Sequence, residues 1–349
     1  MAKLKQNHRL LILVLLGTIL LVCLLIAAAI GAVSISPLSI IKMTLNKTAL
    51  FNFTATWQPS AETILFQIRL PRVIAAALVG SALASAGVLF QGLLRNPMAD
   101  PYIIGTSAGA AFGATIAMML PISLAFLSFG LVPIAAFVGA LAAVLLVYNL
   151  ARVGGTTPVV SMLLAGFAVS AMLTAVMFFM VTLSGQTGLL QSIYSFLMGS
   201  VSVSGWNKII VVAPLVIGGI IAARFLAFRL NAFALGEEGA AYLGVDVERD
   251  KLLVLALGSL LTAAAVSISG LVGFVGLVVP HAVRLVLGPD HRLLLPAAAL
   301  FGGAFLVLAD LLARTMLAPR EIPLGILTAF IGAPFFIYLL RRTRREYAF

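Results

Sequence analysis

The sequence predicts an all-α polytopic membrane protein of about ten transmembrane helices, and three observations carry that prediction. Of its 349 residues, 62% are hydrophobic and only 9% are charged. Charge-free runs extend from Leu10 to Ile41, from Pro101 to Ala151 and from Val153 to Asn207, whereas one helix crosses a bilayer core with about 20 residues. The runs are rich in Leu, Ala, Gly and Val and lack period-two alternation. Helices, which satisfy their own backbone groups in lipid, are therefore favoured over a barrel.

Along the chain, spans are expected near residues 10–33, 73–93, 102–120, 131–150, 159–183, 208–228, 252–269, 271–287, 294–316 and 324–340. The first follows MAKLKQNHR. Its apolar run is about twice the length of a secretory h-region and lacks a small-residue cleavage site, so it reads as a retained span. Cys23 lies inside it; a lone cysteine forms no intrachain disulfide or metal cluster, which leaves a packing role. The second span begins at RLPR and ends at RNPMADP. There Pro97 stops a helix because it restricts the residue before it and lacks an N–H. The third carries Gly105, Gly109 and Gly113, spaced by four to line one face for close approach by a neighbour. The seventh and eighth share one apolar stretch and divide near Ser267–Gly270. The ninth holds Asp310 with Arg314 one turn later, and the tenth precedes a basic C-terminus.

Placing both termini in the cytoplasm puts fifteen of the 22 lysines and arginines inside and seven outside, in keeping with the positive-inside rule. These residues sit at the ends of apolar runs and form no stripe, so the net charge of +11 points to a membrane surface and away from nucleic acid. Arg284 and Arg292 are expected to meet lipid headgroups. Residues 1–349 form one transmembrane domain with approximate halves 1–207 and 208–349. GSALASAG from Gly80 and GSLLTAAA from Gly258 fall on spans of opposite direction. They hint at an inverted repeat, an arrangement that suits a pathway between two halves.

Signatures of catalysis are missing or misleading. GTSAG, residues 105–109, fits G-x-S-x-G, but that chemistry needs a sharp strand-to-helix turn beside a histidine. Ser107 starts a helical span, and His8, His281 and His291 lie in polar ends. For His281 and His291 a helix-terminal or platform-supporting role is expected in place of metal binding, since no carboxylate or cysteine set accompanies them. No H-E-x-x-H, cysteine cluster or G-x-x-x-x-G-K-[ST] is present, so the chain lacks zinc-protease ligands and a P-loop of its own. An ion-coupled carrier needs an ionisable group near the midplane. Asp310 alone answers that description, with Arg314 placed to neutralise it, and an ion-coupled secondary transporter is the alternative reading.

Residues 236–252, GEEGAAYLGVDVERDKL, gather five of the eleven acidic residues within a cytoplasmic loop at 229–251. Gly236 and Gly244 bracket EEGAAYL, which fits one short helix with a glycine stop; a merely solvated loop is the plainer alternative. EEGAAYLG resembles the E-x-A-x-x-x-G coupling loop of ABC-transporter permeases. From about Arg69 to Arg342 the chain resembles the FecCD-type permease family. The resemblance is carried by RLPRVIAAALVGSALASAGVLFQGLLRNPMADPYIIGTSAGA, GLVGFVGLVVPHAVRLVLGPDHRLLLP, ADLLAR and EIPLGILTAFIGAPFFIYLL, in family order.

That resemblance implies a non-enzymatic, ten-helix subunit that works as a homodimer in a bacterial or archaeal cytoplasmic membrane. Its cargo would be a ferric siderophore, haem or cobalamin, and the residues leave the choice open. Two separate ATPase subunits would bind ATP and Mg below, a soluble binding protein would dock above, and this chain would hold no cofactor itself. Gly236 and Gly244 would set the ends of the coupling helix. Glu237 and Glu238 would anchor it by charge-assisted bonds, with Ala240 and Leu243 filling the ATPase groove. Asn96, Pro97 and Met98 would narrow the cytoplasmic exit. Arg69, Arg72 and Arg314 would receive glutamates of the binding protein, a task suited to the planar guanidinium fork.

Overall fold

The computed structural model describes residues 2–31, 33–47, 53–54, 57–120 and 129–344; Arg345 of the basic C-terminus lies outside them. The helices are α1 (Ala2–Ala29), α2 (Pro37–Lys47), α3 (Pro59–Thr63), α4 (Leu70–Leu93), α5 (Thr106–Met119), α6 (Leu131–Ala151) and α7 (Val159–Ser184). They continue with α8 (Thr187–Met198), α9 (Asn207–Phe233), α10 (Glu237–Tyr242), α11 (Val247–Ser269), α12 (Val275–Leu287), α13 (His291–Thr315) and α14 (Leu324–Arg344). A π-helical stretch, Ile64–Arg69, joins α3 to α4; Pro71 follows it and lacks an N–H, and the upstream carbonyls of Phe66 and Gln67 accept instead from Trp206 Nε1 and the Gly205 N–H.

Each expected span falls on a helix. Among the described residues, seven segments are long and apolar enough to cross a membrane: Asn7–Ala29, Pro59–Leu93, α6, α7, α9, α11 and α13. Helices α5 and α12, and Leu324–Tyr338 of α14, are apolar but shorter. Helices α2, α3 and α8 occupy stretches where no span was expected. The break after the seventh span runs from Gly270 to Phe274, and both of those residues take positive φ. The freed backbone is not left bare: Leu271 N–H donates to Phe196 O, Ser200 N–H to Ser269 O and Leu324 N–H to Gly199 O. The ends of α8 and α11 and the start of α14 thus share one hydrogen-bonded junction.

The core is built around α4, with 18 of its 24 residues buried. Glycines explain why. A Cβ at Gly80 would collide with the Gly302 carbonyl of α13, and one at Gly87 with the Gly276 carbonyl of α12, so backbone meets backbone at both crossings. The Phe90 ring lies over Gly258 of α11. Gly109 and Gly113 do pack closely on Gly139 and Ala135 of α6, but Gly105 departs from the expected face. It precedes α5 at φ 85°, where it turns the chain into the helix. Cys23 is a free thiol buried among core residues.

Candidate functional site

Two charged clusters mark opposite ends of the bundle. At the platform end, Gly236 enters α10 at φ 95° and Gly244 leaves it at φ 78°, conformations that cost a glycine little. Between them α10 makes under two turns, so its residues divide sharply between inward and outward. Tyr242 is 91% exposed, and Leu235, Leu243 and Glu238 also face outward. Ala240 is fully buried within the core cluster. That placement corrects the expectation that Ala240 fills a partner's groove: on so short a helix it is the residue that seats α10 on this chain.

Lys251 organises the platform from beneath. Its side chain is 3% exposed, yet its ammonium meets Glu237 at 2.8 Å and Glu248 at 3.0 Å and donates to the Thr157 carbonyl at 3.3 Å. Glu248 also accepts from the Thr157 hydroxyl at 2.7 Å and from its backbone N–H at 3.0 Å. One buried cation therefore ties α10, α11 and the α6–α7 connection together. Glu237 is engaged within the chain, which leaves Glu238 as the outward carboxylate. Arg229 closes a neighbouring pair with Asp250 at 2.7 Å.

His291 opens α13 beside this platform. Its N–H donates to Asn231 Oδ1 at 2.9 Å and its Nδ1 lies 2.8 Å from the same oxygen, while Asn231 Nδ2 donates to Asp290 at 2.8 Å. The arrangement fastens α9 to α13. Asp290 also pairs with Arg9 of α1 at 2.7 Å. Arg284 is turned inward and donates to Gln91 of α4 at 2.8 Å, not outward to headgroups as expected. Arg292 is exposed and lies over the Phe228 ring at 5.5 Å.

In the 94–105 connection, Asn96 Oδ1 accepts the Met98 N–H at 2.9 Å, closing a side-chain-stabilised turn. Asn96 and Pro97 are exposed and Met98 is half-buried. Pro97 and Met98 close against Leu277, Val278, His281 and Phe335, and the His281 and Phe335 rings meet edge-on at 6.3 Å.

At the other end, Arg72 of α4 sits between two carboxylates. Its Nε and Nη2 donate to Asp310 Oδ1 at 3.0 and 2.9 Å, and its Nη1 and Nη2 donate to Glu321 at 2.8 and 2.9 Å. Those bonds hold the Glu321 carboxyl below its ordinary pKa range. Arg314 lies 3.4 Å from Asp310 and donates to the Ala27 carbonyl. Arg69 is buried and donates to the carbonyls of Ala28, Ala29 and Val33. Both arginines thereby cap the last turn of α1, whose carbonyls have no partners within the helix. The structure brings the three arginines together around one cleft of about 570 Å³ that Glu321 also lines. Sequence reasoning missed Glu321, since its partner lies 249 residues away.

The profile of the FecCD transport family matches residues 19–342. The chain belongs to the FecCD transport family. It is therefore a permease of ABC-transporter type. This FecCD chain is 50% identical over 282 residues to the cobalamin import system permease BtuC of Halobacterium salinarum, covering 81% of itself and 74% of that protein. It is 40% identical over 343 residues to the hemin transport system permease HmuU of Yersinia pestis, covering 98% and 99%. An inward-facing structure of a metal-chelate type ABC transporter superposes with a TM-score of 0.82 at 32% identity, covering 95% of this chain and 99% of the other.

Proposed function

We propose that this permease imports a large metal chelate, of the cobalamin, haem or ferric-siderophore class, across a bacterial or archaeal cytoplasmic membrane. It works as a homodimer of ten-span subunits with cytoplasmic termini and a pathway along the dimer axis. ATP with Mg is bound and hydrolysed by two separate ATPase subunits, and a soluble binding protein delivers the cargo. The observation that carries the reading is α10: a glycine-bounded helix that shows Glu238, Tyr242 and Leu243 to the outside and is backed by the buried Lys251. A rigid, braced surface of this kind transmits movement, and closure of the ATPase pair would tilt the helices above it. Gly236 and Gly244 hold its ends. Asn96, Pro97 and Met98 act as the exit gate, with Asn96 Oδ1 keeping the turn in shape. Asp310 is held by Arg72 and Arg314, which argues against the freely titrating carboxylate that ion coupling requires.

The decisive experiment reconstitutes the complex with its ATPase and binding protein and measures ATPase stimulation by cobalamin, haem and a ferric siderophore in turn. One chelate class should stimulate wild type. Glu238→Arg and Gly244→Pro should each lose more than about ten-fold of the coupled uptake, as expected when a docking charge is reversed or a glycine-specific turn is broken. Stimulation by none of the three, or uptake that collapses with the ion gradient while ATP stays high, would sink the proposal.

A further inference from the structure

A guanidinium has two edges that can each hold a carboxylate with a pair of parallel bonds. On Arg72 both are taken, one by Asp310 and one by Glu321. The two acids differ in how they are held. Asp310 is 2% exposed and fixed on α13, whereas Glu321 is 48% exposed on the connection to α14. A third carboxylate arriving from outside cannot bind Arg72 unless one of these leaves. Asp310 cannot leave without stranding a buried charge. Glu321 can, because half of its side chain already meets solvent.

Neither neighbouring arginine offers an easier contact. Arg69 is buried with both terminal nitrogens on the carbonyls of Ala28, Ala29 and Val33, and Arg314, its side chain only 9% exposed, gives Nη2 to the Ala27 carbonyl and turns Nε toward Asp310. Glu321 also has somewhere to go. It forms the shared wall between the arginine cleft and a second cleft of about 630 Å³ at the end of α8, lined by Gln191, Tyr194, Ser195 and Ser202. Those hydroxyl and amide groups can donate to a displaced carboxylate.

We propose that Glu321 is a resident stand-in for an acidic side chain of the docking partner, and that docking at this end is carboxylate exchange on Arg72. The incoming carboxylate takes the exposed edge of the guanidinium, and Glu321 swings toward the cleft at the end of α8. The inference rests on the reading of the arginine cluster as the binding-protein contact. Because one ion pair replaces another, the exchange adds little net affinity. It makes the contact selective for an acidic side chain and readily reversible. It also links docking to a movement in the α13–α14 connection.

The test measures binding of the cognate soluble binding protein to the purified complex in nanodiscs, with elution as an assembled complex required of each variant. Glu321→Gln, and Glu321→Ala as a second variant that removes the group outright, should bind about two- to five-fold tighter, the range of a part-exposed ion pair. Arg72→Glu should bind more than about ten-fold weaker. In an Arg72→Gln background, Glu321→Gln should change nothing. Unchanged or weaker binding by both Glu321 variants, beside the loss in Arg72→Glu, overturns the exchange and leaves the arginine contact standing. Unchanged binding by Arg72→Glu removes the docking reading, and the exchange with it.

Discussion

Helices α4 and α7 are comparably apolar, yet 78% of the most apolar window in the segment ending in α4 is buried, against 22% in α7. Hydropathy cannot tell them apart; side-chain size can. Helix α4 presents Gly80, Ala84 and Gly87 to backbone atoms of α12 and α13. Helix α7 presents Leu164, Phe167, Phe179 and Leu183 to its surroundings, and Gly166 gives it one close backbone approach, to Ile103. It is instead fastened at its end, where Thr157 meets Glu248 and Lys251. Helix α1, with 11% of its window buried, follows the same rule. Arg9 and Asp290 hold its start, and Arg69 and Arg314 hold its last carbonyls. Central helices are joined along their length by glycine contacts, and peripheral ones are tied at their ends by charged side chains.

The largest effect should come from breaking a central contact. Gly80→Leu drives a side chain into the Gly302 carbonyl and Leu306 and should cost more than about 3 kcal/mol, seen as loss of monodisperse protein on gel filtration. Gly218→Ala on α9, where nothing lies within 4 Å, should shift stability by no more than about 1 kcal/mol. Equal yields of the two variants would erase the distinction.

Breaking an end tie should cost less and stay local. Lys251→Met leaves Glu237 and Glu248 without their cation, at about 1–3 kcal/mol once partial exposure of the carboxylates is allowed for. Hydrogen exchange should quicken at residues 152–160 and remain slow in α4, and Lys251→Arg should recover part of the protection. Acceleration throughout α4 would show that the platform tie supports the core as well.

The smallest effect concerns α1. Burial alone would raise the Asp290 carboxyl, but hydrogen bonds from Asn231 and the Arg292 backbone, with Arg9 opposite, leave it below its ordinary value. A depressed carboxyl stabilises above its unfolded pKa of about 3.9 and loses that contribution as pH falls through the lower folded value. The Tm deficit of Asp290→Asn against wild type should therefore be constant from about pH 8 to 5 and shrink below about pH 4. A deficit that grows with acid would reverse the assignment.

Much of this architecture is legible in the sequence because membrane helices announce themselves by composition and glycines punctuate them. The break at Gly270 and the ends of α10 at Gly236 and Gly244 are of that kind. Helices α2, α3 and α8 carry too short an apolar run to stand out. Pairings across hundreds of residues were also hidden. Asp310 sees Arg314 at one helical turn, but its closer partner is Arg72, 238 residues away, and Arg284 turns inward for Gln91, 193 residues away. Local spacing says which residues share a face, and it is silent on which distant residue meets them.

The Arg72 contacts also set an order of events during synthesis. Helix α4 leaves the ribosome with an arginine at its end and with Gly80 and Gly87 along its face, but the backbone that covers those two glycines lies beyond residue 275 and the carboxylates that pair the arginine are Asp310 and Glu321. At about 5–20 residues per second, the wait is on the order of tens of seconds. For that interval the glycine face of the central helix stands uncovered, and its arginine must remain in the headgroup region or in the keeping of the insertion machinery. The helix made early is completed almost last, so a chain truncated before α13 would strand its own core.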